Sequence, residues 1–183
     1  MTRAMLVTVL LLIPASASFA DASFQFNLAG LQAPEDPNVR GMRFVLLYGK
    51  NDRVSGLDLG FGSYNEAATQ SGFTFNMGIS RVTGSSSGCA CALINIHEGS
   101  DKGLNASFIN VIADADNAVN VSFVNMNEGN SNVDIGGLSM SKKSGTQIGF
   151  VNFTDEITNL QIGFLNFAQN GFFPFFPIFN YPK

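Results

Sequence analysis

The sequence predicts an all-β, single-domain β-solenoid in which about ten short repeats stack as the rungs of one sheet. Three observations predict this fold. A phrase of about eight residues recurs along the chain, each copy alternates apolar and polar residues, and Asn recurs at the seventh position. Alternation with a period of two is typical of a half-buried strand. Tandem repeats of nearly constant length are typical of solenoids.

Residues 1–20 are predicted to be a signal peptide. Arg3 supplies the positive charge, and an apolar run of eleven residues follows from Ala4 to Pro14. The run is shorter than the roughly 20 residues that span a bilayer. Small residues then suit cleavage after Ala20, with cleavage after Ala17 as the alternative. The expected mature chain is residues 21–183, an exported protein.

The mature chain divides into repeat units. Leu160-Gln161-Ile162-Gly163-Phe164-Leu165-Asn166-Phe167 is the clearest copy, and weaker copies continue back to Phe24. The units begin near residues 24, 42, 57, 73, 89, 104, 119, 133, 146 and 160. We expect each unit to supply one short strand and one turn, and the whole of residues 21–183 to form a single β-repeat domain.

Positions within the unit differ in polarity. The first, third and fifth positions are almost all apolar, the second is usually polar and the fourth is usually small. We expect the apolar positions to form a continuous core. The second and fourth positions would then form a flat outward face that binds a surface, a glycan, a protein or a second copy of the chain.

The seventh position predicts a structural ladder. A buried amide is costly unless it is hydrogen-bonded, and stacked rungs allow each Asn to bond the Asn above and below it. An alternative is that Asn only begins a turn in each repeat. A column of Phe residues is expected to stack beside this ladder. The ladder residues are Asn95, Asn110, Asn125, Asn152 and Asn166, and the column residues are Phe61, Phe108, Phe123, Phe150 and Phe164.

An up-and-down outer-membrane β-barrel of ten antiparallel strands is the alternative fold. The uniform connections and the absence of Trp disfavour it. Residues 171–183, rich in aromatic residues and Pro, are predicted to cap the C-terminal end of the solenoid, because Pro cannot donate to a strand ladder. The alternative role for this tail is contact with a membrane or a partner.

No residue set predicts chemistry. The chain has two Cys, one His and a net charge of −4 without a basic stretch, so we expect no nucleic-acid partner. Cys89 and Cys91 are expected to be small core residues, with a redox or metal-binding pair as the alternative. His97, Glu98 and Asp101 are expected in a solvated turn. The acidic turns at 114–117 and 155–156 lack the pattern of a calcium loop, and loose binding of a divalent cation along a stacked acidic edge is the alternative. We therefore expect no catalytic residue, no cofactor and no metal.

The phrase Leu-Gln-Ile-Gly-Phe-Leu-Asn-Phe and the tail Gly-Phe-Phe-Pro-Phe-Phe-Pro-Ile-Phe-Asn resemble the leptospiral-type surface repeat proteins. The resemblance is strong over residues 146–180, fair over 89–126 and weak before residue 73. It implies an exported protein of the bacterial cell envelope or surface, and it implies no chemistry. The expected function is a non-enzymatic, structural or adhesive role at the cell surface, in the outer membrane or after secretion, with the periplasm as a further alternative. The small outer-membrane barrel is the alternative.

Overall fold

The computed structural model describes residues 21–183; the predicted signal peptide lies outside the described residues. The fold is a β-solenoid, and the described chain contains no helix. Five extended stretches make one sheet in the order β2-β1-β3-β4-β5. They are β1 (Ala22–Leu28), β2 (Leu31–Ala33), β3 (Asn38–Asp101), β4 (Leu104–Ala168) and β5 (Phe175–Asn180).

The long stretches β3 and β4 wind through several rungs, and neighbouring rungs pair in parallel. Phe24 lies beside Met42 between β1 and β3, and Cys89 lies beside Leu104 between β3 and β4. These partners are the first residues of consecutive repeat units, so the register of the sheet follows the sequence repeat. Parallel pairing is the arrangement of a solenoid; the barrel alternative requires antiparallel neighbours.

The number of turns differs from the number of repeats. About six turns are formed, whereas the sequence contains ten units. The first unit is followed by β2 and the last by β5, and both units still stack on their neighbours: Phe24 lies beside Met42, and Gly163 lies against the carbonyl oxygen of Gly149. The coil is also interrupted at residues 102–103, between β3 and β4. Each of the ten units nevertheless supplies its strand segment to the sheet.

Glycine permits the close stacking at the start of several units. Gly41, Gly56, Gly72 and Gly88 adopt positive φ values of 152°, 124°, 112° and 111°. A Cβ atom on any of the last three would collide with the carbonyl oxygen of the glycine one unit earlier. These positions therefore require glycine for both conformation and space.

The distribution of side chains is the reverse of the one expected. The second position of the unit is buried, and the first, third and fifth positions point outward. The expected apolar core and polar outer face are therefore both wrong. A coil of about 15 residues per rung encloses little space, and this explains the reversal. No Phe, Leu, Met or Tyr of residues 21–183 is buried. The interior holds mainly small and amide side chains instead.

The chain changes phase between the fifth and seventh positions. In the last unit Phe164 points outward, Leu165 is half-buried and Asn166 is buried. Strict alternation would place Asn166 on the same side as Phe164. A corner at this point turns the chain, so that the Asn enters the polar interior and does not lie within an apolar face.

Buried amides hydrogen-bond from rung to rung at the seventh position. Asn95 Nδ2 donates to Asn110 Oδ1 at 3.0 Å, and Asn110 Nδ2 donates to Asn125 Oδ1 at 3.1 Å. Asn152 Nδ2 donates to Asn166 Oδ1 at 2.8 Å. The unit between these two runs has a buried Ser at this position, which divides the ladder in two.

The buried second position forms a further ladder. Asn105 Nδ2 donates to Asn120 Oδ1 at 3.0 Å, and Asn120 Nδ2 donates to Asp134 Oδ1 at 2.9 Å. Gln161 Nε2 donates to Gln147 Oε1 at 2.7 Å. The bond between Asn105 and Asn120 joins a buried donor and a buried acceptor that have no other partner, and a buried group left unpaired costs about 1–3 kcal/mol.

The charged side chains of Arg43, Asp58 and Asp134 are buried inside the coil. Arg43 makes a bidentate ion pair with Asp58 one unit later, with Nη2 to Oδ2 at 2.6 Å and Nε to Oδ1 at 2.8 Å. The carboxylate of Asp134 accepts from several side chains that surround it. Its donors are Asn120, Asn127, Ser131, Ser141 and Ser144.

Antiparallel strands cover both ends of the coil. β2 pairs with β1 at the N-terminal end, and β5 pairs with the last rung of β4 at the C-terminal end. Asn180 is buried and donates to Phe173 O at 3.0 Å and to Gln161 Oε1 at 3.4 Å. The polar interior thus ends on a polar side chain, and the aromatic side chains of the tail remain mostly outside.

Replacing Asn110 with Leu should destabilise the fold. The change removes the donor to Asn125 and the acceptor of Asn95, and it leaves these buried amides short of partners. The expected loss is about 1–3 kcal/mol in the free energy of unfolding, measured by urea denaturation followed by circular dichroism. Asn130→Leu, at an exposed position, is the control. Equal stability of the two variants would contradict the ladder.

Replacing Arg43 with Met should destabilise the fold more strongly, by about 3–5 kcal/mol, because Asp58 becomes an unpaired buried charge. The double variant Arg43→Met/Asp58→Leu removes both charges and should recover much of the loss. The same urea titration measures both variants. If the double variant is no more stable than the single one, the cost arises from packing and not from the charge.

Candidate functional site: the apolar outer face

The first, third and fifth positions of the ten units make a regular exposed surface of the coil, which we call the outer face. Strand partners keep these positions in rows: Phe26 lies beside Phe44, and Cys91 lies beside Ala106. None of the thirty positions is charged and none is buried. Thr146 and Gly137 are the only two that are not apolar.

The column of Phe residues predicted from the sequence lies on the outer face. Phe108 and Phe123 stack with ring centroids 5.3 Å apart, and Phe150 and Phe164 stack at 5.2 Å. Gly137 separates these two pairs. Phe61 packs on Phe44 at 5.3 Å, one column aside. The rings are exposed; Phe123, for example, is 60% exposed and Phe150 64%.

Cys89 and Cys91 also lie on the outer face, so the expectation that they are core residues is wrong. Both are half-buried free thiols, with their Sγ atoms 3.8 Å apart. Burial raises the pKa of the Cys91 thiol, and the neighbouring Cys89 raises that pKa further through a hydrogen bond. A raised pKa disfavours the reactive thiolate.

The turn after these cysteines is not solvated, contrary to expectation. His97 and Asp101 are buried and pair through the His97 Nδ1 atom, and the Gly103 amide donates to Asp101 Oδ1 at 2.7 Å. Only Glu98 of the three residues is exposed, where it pairs with Arg81 at 2.7 Å. The pair of His97 and Asp101 joins the two ends of this turn inside the coil.

The acidic turns hold ordinary surface contacts. Asp116 pairs with Lys102 at 2.9 Å, and Glu156 pairs with Lys143 at 2.7 Å. Within residues 21–183, no three His, Cys, Asp or Glu side chains converge closely enough to hold a metal ion.

Charged side chains line a different side of the coil from the outer face. Lys50, Glu66, Arg81 and Glu98 occupy successive units and alternate in sign. Glu66 accepts from Lys50 at 2.9 Å and from Arg81 at 3.2 Å. Lys50 gives the largest lowering of the pKa of Glu66, and Glu66 in turn raises the pKa of Lys50.

An apolar groove lies beyond the corner. Its cavity volume is about 770 Å³, and it runs across successive units from the one at 89 to the one at 160. Its apolar floor comes from the eighth position of each unit, and Pro174 lies at the C-terminal end. The floor residues are Ile96, Val111, Met126, Met140, Phe153 and Phe167. The groove and the outer face are separated by the buried seventh position.

The outer face was missed at the level of sequence, although a signal existed. The apolar positions carry no charge over ten units, and they include large rings that a rung of about 15 residues cannot enclose. The rule that apolar residues lie inside outweighed this signal. The width of the coil, which exists only once the rungs are stacked, decides which side of each strand faces inward.

The chain matches no protein-family model, no curated protein and no solved structure at a significant level. The resemblance to the leptospiral-type surface repeat proteins therefore stays a prediction. Residues 21–183 contain no helix with the length and apolar character needed to cross a bilayer.

Alkylation of Cys91 should require a higher pH than alkylation of an unstructured cysteine, because burial and Cys89 raise the pKa of the Cys91 thiol. The rate of iodoacetamide labelling of dilute protein, measured against pH by mass spectrometry, tests this. Cys89→Ser should lower the midpoint of Cys91 labelling only partly, since burial is the larger cause. The urea-unfolded chain serves as the reference. A folded midpoint at or below that reference would contradict the assignment.

Proposed function

We propose that the protein is an exported, non-enzymatic protein of the bacterial cell envelope or surface, and that it acts as a structural or adhesive element through its outer face. The observation that carries the proposal is the outer face itself, which presents thirty uncharged positions without a buried one. Monomeric soluble proteins rarely expose a continuous apolar patch of more than a few hundred Å². A face of this size is therefore best explained as an attachment surface.

The polar interior supports a structural role. Many polar side chains are buried here and hydrogen-bond to one another inside the coil. His97 and Asp101 pair with each other inside the coil, and Arg43 pairs with Asp58. Catalysis needs several polar groups that converge on a substrate, whereas these groups converge on one another.

Export is supported by the sequence of residues 1–20, with Arg3, the apolar run Ala4–Pro14 and the small residues before Asp21. The resemblance of residues 146–180 to surface repeat proteins supports the envelope as the destination. The cell surface, the outer membrane and the medium are the locations in which an apolar attachment surface would act.

Expression of the full chain in a Gram-negative host tests this function. We expect the processed protein, beginning at Asp21, in the envelope fraction. Phe108→Lys/Phe123→Lys places two charges on the outer face and should release most of the protein from that fraction. Val111→Lys/Met126→Lys changes the same two units in the groove and should be retained. An unprocessed protein that stays in the cytoplasm, or equal retention of both variants, would refute the proposal.

A further inference from the structure

We propose that the outer face packs face to face against the outer face of a second copy of this chain. The inference rests on the proposed function, in which this face is the attachment surface, and it names the partner. Two sheets that pack in this way bury their facing side chains in a layer about 10 Å thick. Size, spacing and charge support a second copy as the occupant.

The size of the outer face suits a stable dimer. A five-residue strand segment is about 16 Å long, and ten segments about 4.8 Å apart extend about 48 Å. The face therefore covers about 800 Å², which is the area that each partner contributes to a standard protein–protein interface. A small contact would not cover the exposed rings, and a face of this area covers them together.

The spacing of the outer face favours an identical partner. Its side chains repeat at the rung distance along the coil, as the stacked pairs Phe108–Phe123 and Phe150–Phe164 show. A second copy presents rows with the same spacing, so side chains interdigitate along the whole length of the face, as in paired sheets of identical segments. The side chains of an unrelated protein surface would not keep the same spacing, so they would stop interdigitating with the outer face after a few rungs.

The charge of the outer face also favours a second copy over an anionic lipid surface. Pairing two uncharged faces buries no ion, and the ion pairs of Lys50, Glu66 and Arg81 stay on another side of the coil in both copies. The chain has a net charge of −4, which does not attract anionic lipid.

A two-fold axis through the middle of the outer face would limit the assembly to two copies, because each copy uses the same face for the contact. The axis would pass between the units at 89 and 104, so that the same residues meet from both copies. Phe108 and the two cysteines would then lie near the centre of the interface. The ends of both coils keep their antiparallel strands β2 and β5, so the pair does not extend into a fibre by stacking end to end.

Sedimentation velocity of residues 21–183 without detergent tests the inference over a wide range of concentrations. We expect a dimer that dissociates on dilution. Phe108→Lys/Phe123→Lys should raise the dissociation constant at least tenfold, because lysine charges would be buried at the centre of the interface. Val111→Lys/Met126→Lys should leave it unchanged. Circular dichroism confirms that both variants fold, since all four side chains point away from the interior.

Thiol labelling gives a second measurement that needs no substitution. Cys89 and Cys91 should be labelled by iodoacetamide more slowly at concentrations where the dimer forms than at concentrations where it dissociates. Labelling rates that do not depend on concentration while the dimer forms would place the contact elsewhere and overturn the inference. Dissociation of the groove variant to the same extent as the outer-face variant would do so too.

Flotation with neutral phosphatidylcholine vesicles separates this inference from the proposed function. Wild-type protein that is monomeric at every concentration and floats with the vesicles would overturn the dimer and leave the outer face as an attachment surface for lipid. A monomer that neither floats nor remains in the envelope fraction of cells would overturn both. A dimer that does not float would support the inference.

Discussion

The hydrogen bonds between identical side chains on successive rungs are the interaction on which this structure depends. Without them the interior would hold unpaired amides, and each would cost more than a typical hydrogen bond contributes. With them, Asn110 is both donor and acceptor for its neighbours one unit away. The ladder also fixes register, because a shift of one residue would place outer-face side chains against the amides.

This dependence explains why the apolar residues are outside. A coil of about 15 residues per rung encloses little space, and the small and amide side chains fill it. The largest apolar cluster among the buried described residues consists of Ile112, Ala115 and Ala118 only. The Phe residues are left to the exterior, where they stack along the coil but keep much of their surface exposed to solvent. The exposed apolar surface is thus a consequence of how the interior is built.

Buried charged side chains, like the buried amides, are bonded to side chains of neighbouring rungs. Where a charged residue enters the interior, the adjacent rung supplies its partner, as Asp58 does for Arg43 and the surrounding Asn and Ser side chains do for Asp134. The charges outside are confined to columns away from the outer face. Residues 21–183 therefore form a polar interior, a charged side, an apolar outer face and the apolar groove beyond the corner.

The sequence by itself determined the repeat, its strand character and the solenoid class, because period and alternation are local properties that recur in every unit. It also identified the residues that hydrogen-bond as Asn95, Asn110 and Asn125, since one polar residue recurred at one position. It did not determine which side of each strand faces inward, because alternation is identical for both choices. The corner between Phe164 and Asn166 and the width of the coil decide that, and both exist only once the rungs are stacked. The placement of the cysteines and of the outer face follows from that choice.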